Sequence, residues 1–177
     1  MAKPKVTPTP EGRSIQLKSR QAKVTNLNLK PEASGKDLVA RADISIEFLL
    51  ADKEIDQLVA FEGGAELLWN DDGEPRFQEL GGSIPLDLKA QGVGRIGPLR
   101  GEGSEFEVMT LKKVAVELGL KHEVIVSAQL RVDPTGHLEM LQRVQLARTL
   151  KFSFKGAVLV NASPDEDDPD GQDLLPL

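Results

Sequence analysis

Ala40-Arg41-Ala42-Asp43-Ile44-Ser45-Ile46-Glu47-Phe48 alternates without a break. Ala40, Ala42, Ile44, Ile46 and Phe48 share one side of an extended chain, and Arg41, Asp43, Ser45 and Glu47 share the other. A period of two across nine residues is the pattern of a strand with one buried and one wet face, as in an antiparallel sheet. This segment sets the expectation for the whole chain.

Upstream, Ile15, Leu17, Ala22, Val24, Leu27 and Leu29 continue the alternation, with a slip that predicts a β-bulge near Ser19–Gln21. Residues 31–36 read as the turn between these two strands. Downstream, Asp52 is placed to cap a short helix with Ile55, Leu58 and Val59 inward. Asn70–Pro75 reads as a turn, and Ile84–Leu88 as a short strand held at an edge by Pro85. Residues 91–104, rich in glycine, read as a surface loop carrying Arg95 and Arg100. Strands follow within 105–120 and 122–132, then a short helix at about 137–144 and a last strand at 146–160.

The expected fold is mainly β: an antiparallel sheet or partly closed OB-like barrel with one or two short helices, an α+β sandwich being the alternative. The expected domain plan has three parts. Residues 1–13, with prolines at 4, 8 and 10, form a disordered basic arm; 14–160 form a single β-rich core; 161–177 form a disordered acidic tail.

Composition narrows the chemistry. The chain has no Cys, which removes disulfides, thiolate metal sites and cysteine nucleophiles. Its two histidines, His122 and His137, have no partner at ligand spacing, and Asn70–Pro75 lacks the spaced oxygens of a calcium loop, so no metal or cofactor is expected. Gly92-Val93-Gly94-Arg95-Ile96-Gly97 spells a dinucleotide fingerprint, but Pro98 denies it the helix that would hold a pyrophosphate. With no nucleophile elbow or P-loop, the expectation is a protein that is not an enzyme. No 18-residue apolar run is present and Met1–Lys5 does not open a secretion signal; a soluble cytoplasmic protein is expected.

The net charge of −6 is carried by six acids near the C-terminus, Asp165, Glu166, Asp167, Asp168, Asp170 and Asp173; the other 22 acids balance the 22 bases. Within that balanced body the charges segregate. Residues 1–30 hold seven bases and one acid, residues 43–79 hold eleven acids and two bases, and residues 143–155 hold four bases and no acid. A polyanion is therefore expected on one face, met by Lys18, Arg20, Lys23, Arg95, Arg100, Arg143, Arg148, Lys151 and Lys155. Phe152 and Phe154 have two readings: core side chains, or an exposed platform on which bases stack.

The acidic run closes on Leu174-Leu175-Pro176-Leu177. Acids alone attract loosely, whereas leucines give a partner's pocket something to bury. Asp165–Leu177, with its prolines, its glycine and its apolar tip, resembles the C-terminal tail of bacterial and phage single-stranded DNA-binding proteins; Leu177 stands where the bacterial tails end in phenylalanine. The resemblance covers this tail alone. It implies a non-enzymatic protein whose OB-type core coats single-stranded DNA in replication or recombination, while the tail docks partner proteins through Asp165–Leu177. A homo-oligomer is compatible with it. The rival reading is a phage protein-interaction module or inhibitor of a host nucleic-acid enzyme, whose acidic segments 43–79 and 165–173 imitate a phosphate backbone.

Overall fold

The computed structural model describes residues 6–8, 14–61, 68–76, 83–86 and 88–159. In chain order the elements are β1 (Val6–Pro8), β2 (Ser14–Ser34), β3 (Asp37–Leu50), a 3-10 turn (Asp52–Gln57), β4 (Val59–Phe61), β5 (Ser83–Pro85), β6 (Ala90–Gly97), β7 (Ser104–Leu118), β8 (Val124–Val132), α1 (Leu138–Ala147) and β9 (Thr149–Val158). The fold is mainly β, with a single short α-helix among the described residues.

Six long strands form a ring in the order β7-β6-β9-β2-β3-β8, and β8 pairs back onto β7. Every neighbouring pair is antiparallel. Closure removes the unpaired edges an open sheet would carry. β5 adds to β7 through Ser83–Pro85, and β1 pairs separately with β4. Six strands enclose a space that side chains fill. Ile15, Leu17, Val24, Ile44, Ile46, Phe48, Ile96, Met109, Leu111, Val126, Leu130, Leu150, Phe152 and Phe154 belong to this interior. The helix α1 runs from the end of β8 to the start of β9 and adds Leu141 and Val144 to the same core.

The alternation in β2, β3 and β8 predicts the observed strands, and the bulge appears where expected, as a register shift between Leu17 and Arg20 against β9. Several details differ. β2 and β3 run on to Ser34 and Asp37, so the turn shrinks to Gly35-Lys36, with Gly35 at φ +64°. The helix expected at Asp52 is a 3-10 turn; Ala51 occupies the cap position and no side chain caps it. Ile55 and Leu58 are buried there as expected, while the side chain of Val59 lies outside the described residues. Residues 6–8, read as part of a disordered arm, form β1. The helix extends to Ala147, so the last strand begins at Thr149 rather than 146.

The largest revision concerns residues 91–104. Ala90–Gly97 is not loop but β6, paired on both sides, and only 98–103 form the connection to β7. Its glycines serve close packing. A Cβ on Gly92 would sit 2.0 Å from the Lys155 carbonyl oxygen, and one on Gly94 would sit 2.6 Å from the Met109 sulfur. Glycine marks strand positions where another backbone comes this near.

Candidate nucleic-acid interface

On β9, Leu150, Phe152, Phe154 and Val158 point into the barrel, so Lys151, Ser153 and Lys155 point out. Register then decides what surrounds them. Lys151 lies between Gln21 of β2 and Gly97 of β6, Ser153 beside Arg95 of β6, and Lys155 between Gln16 of β2 and Val93 of β6. Lys23 stands one step further along β2, across from Thr149. The exposed Lys18 and Ser19 sit in the bulge that interrupts the β2–β9 ladder. The outer surface of β2, β9 and β6 thus gathers Lys18, Lys23, Arg95, Lys151 and Lys155 on adjacent strands.

Little opposes this charge. Among the described residues, Lys18, Lys23, Lys151 and Lys155 make no ion pair with another described residue. Arg95 reaches Glu105 only at 3.9 Å, with both side chains 61% exposed. Glu47 lies across the ladder from Lys23. Arg100 is exposed in the 98–103 connection and Arg148 at the end of α1, where it adopts φ +57°. Arg143 projects from α1, ion-paired with Glu139 at 2.7 Å.

Three of the expected contacts need correction. Phe152 and Phe154 are each 1% exposed, and Phe152 meets Phe48 edge-on at 5.1 Å; ring closure turns this side of β9 inward, so neither ring can stack on a base. Arg20 is also withdrawn. Its guanidinium pairs with Glu54 at 3.0 Å, donates to the Leu49 and Lys18 carbonyls and lies 5.7 Å from the Phe48 ring centroid, joining the 3-10 turn to the barrel. The residues expected to bind partners, Asp165, Glu166, Asp167, Asp168, Asp170, Asp173, Leu174, Leu175, Pro176 and Leu177, lie outside the described residues. Ser19 and Ser153 join the basic face although sequence reasoning passed over them; the alternation of Lys151 and Lys155 already put Ser153 on their side.

A second polar concentration lies elsewhere on the barrel. Asp43 is only 2% exposed although the strand pattern sets it on the wet side of β3. Arg131 donates from Nε to its Oδ1 at 2.8 Å and from Nη2 to its Oδ2 at 3.1 Å, and Lys30 approaches at 3.1 Å. Burial works to raise the Asp43 carboxyl, but hydrogen bonds from Arg131 and Lys30 and the positive charges of Arg131 and Lys112 outweigh it, holding the group below its ordinary range. Glu32 receives Arg41 at 2.9 Å and Arg131 at 3.3 Å. A cavity of about 750 Å³ opens beside this network, and Glu32, Arg41, Arg131 and Asp133 in its lining are paired with one another or with Asp43. Asp43 is therefore engaged internally and cannot form part of an outward acidic strip, and the partly exposed Glu54 is neutralised by Arg20.

No group of three or more potential metal-ligating side chains occurs among the described residues, and no helix among them is long and apolar enough to cross a membrane. No family model, curated protein or solved structure matches the chain.

Proposed function

We propose that this chain binds single-stranded nucleic acid, DNA in the first instance, without catalysing a reaction on it. The strand lies along the outer face of β2, β9 and β6. The observation that carries the proposal is the row Lys151-Ser153-Lys155, flanked by Lys18, Lys23 and Arg95, in which Lys151 and Lys155 have neutral Gln21 and Gln16 as their neighbours on β2. Such a face attracts a phosphate backbone regardless of base sequence. Phe152 and Phe154 take no part, so the contact is mainly electrostatic. The likeness of Asp165–Leu177 to the tails of single-stranded DNA-binding proteins supports the preference for single strands, a cytoplasmic role in replication or recombination, and recruitment of partner proteins by that tail.

A gel-shift titration with oligo-dT, challenged by duplex competitor, tests the reading. Retarded oligo-dT that survives the competitor supports it, and no retardation at low salt overturns it. Deleting 165–177 separates it from the protein-interaction reading: DNA affinity is retained if the barrel face binds the strand.

A further inference from the structure

Between the β2 bulge and the connection from β6 to β7 the basic face is indented. Ser19, Arg95, Lys151, Ser153 and Glu102 line a cleft of about 510 Å³ together with Gly97, Gly101 and Gly103. The glycines explain why there is space. A Cβ on Gly97 would lie 2.5 Å from the Gly103 Cα, so the connection folds back onto β6 backbone to backbone. Gly101 takes φ +120°, a conformation side chains resist. Much of the wall is consequently main chain, which lets a ligand approach closely.

We infer that this cleft seats one internal phosphodiester of a bound single strand, an inference that rests on the nucleic-acid reading above. Arg95 offers a planar fork of donors and Lys151 a compact charge, and the hydroxyls of Ser19 and Ser153 add donors suited to phosphate oxygens. Position points to an internal phosphate, because the cleft lies within the row of cations on β2, β9 and β6 rather than at its end. Arg95 and Lys151 outnumber Glu102 in the lining, so the cleft presents net positive charge to an anion. The exposed 3.9 Å contact between Arg95 and Glu105 is long enough to give way to a phosphate oxygen.

Fluorescence anisotropy with 5′-hydroxyl oligo-dT tests this on the full chain, comparing R95Q and K151Q with K23Q, an equally surface-borne charge on the same face outside the cleft. Each cleft substitution should weaken binding about tenfold, the effect of losing a charged hydrogen bond, against about threefold at most for K23Q. E102Q should strengthen binding. In parallel, amide resonances of Gly101, Gly103 and Ser153 in the wild-type chain should move on titration with oligo-dT. If the wild type binds but R95Q and K151Q lose no more than K23Q, or the shifts avoid these amides, the cleft assignment is overturned while the basic face stands. If the wild type binds no oligo-dT, the functional reading falls and the cleft with it.

Discussion

Asp43 and Arg131 stand directly opposite one another across β3 and β8, joined by two hydrogen bonds of 2.8 and 3.1 Å on the outer side of the barrel. The carboxyl is nonetheless shielded from water, so its charge depends on Arg131 and Lys30. Removing Asp43 takes from Arg131 a two-bond partner that its 3.3 Å contact with Glu32 does not replace, and takes from Lys30 its carboxylate. Asp43→Asn should therefore destabilise the fold by about 3 kcal/mol, the low end for buried pairs because Lys30 is partly exposed, measured by urea unfolding at neutral pH.

The same pair fixes the direction of pH dependence. The Asp43 carboxyl is lower in the folded chain than in the unfolded one, so its stabilising contribution is complete above the ordinary carboxylate pKa of about 3.9. That contribution drains away as pH falls through the still lower folded value. Wild-type unfolding midpoints should drop more steeply than those of Asp43→Asn as pH is lowered below about 4, and parallel curves would remove Asp43 from the account.

Arg20 belongs to the fold rather than to the interface. Arg20→Gln should lower stability by about 1–2 kcal/mol through loss of the Glu54 pair and the Leu49 carbonyl contact. The salt dependence of DNA binding should stay at the wild-type slope. A reduced slope would return Arg20 to the set of phosphate contacts.

Phe152 sits in the barrel against Phe48. Phe152→Ala should cost about 3–5 kcal/mol, as large-to-small changes in a packed core do. The conservative Phe154→Leu should leave oligo-dT affinity unchanged wherever the protein is folded; a selective loss of affinity would mean that this ring reaches the nucleic acid after all.

Gly92 offers a check on the barrel itself. Its Cα faces the Lys155–Gly156 backbone of β9 so closely that a methyl group must displace main chain. Gly92→Ala should unfold the protein or shift its thermal midpoint down sharply, whereas Gly35→Ala, with open space around it, should show only the smaller penalty of a residue held at φ +64°.

The segments that were legible are those whose burial is one-sided. β8 alternates throughout and β3 from Ile44 to Leu50, because one face packs inside the barrel and the other faces outward. β6 was not legible, because glycine is depleted from strands in general and its use here depends on β9, which is remote in sequence, and on Met109 of the paired strand β7. Asp43 was misread for a similar reason: Arg131 lies 88 residues away, and no local pattern announces that partnership. At the interface, the alternation of Lys151 and Lys155 was readable from β9 alone. Which neighbours joined them depended on ring closure, which admitted Arg95 and Ser19 and turned Phe152 and Phe154 inward.

The most direct test of the central claim is the slope of log affinity for oligo-dT against log salt concentration, measured by anisotropy for the wild-type chain and for the K151Q/K155Q double variant. Five cations on the face predict a wild-type slope of about −3.5, at about 0.7 per phosphate contact on single strands. Two contacts fewer predict a double-variant slope of about −2. Binding that is absent at low salt, or a slope that the double substitution leaves unchanged, would contradict a strand lying along β2, β9 and β6.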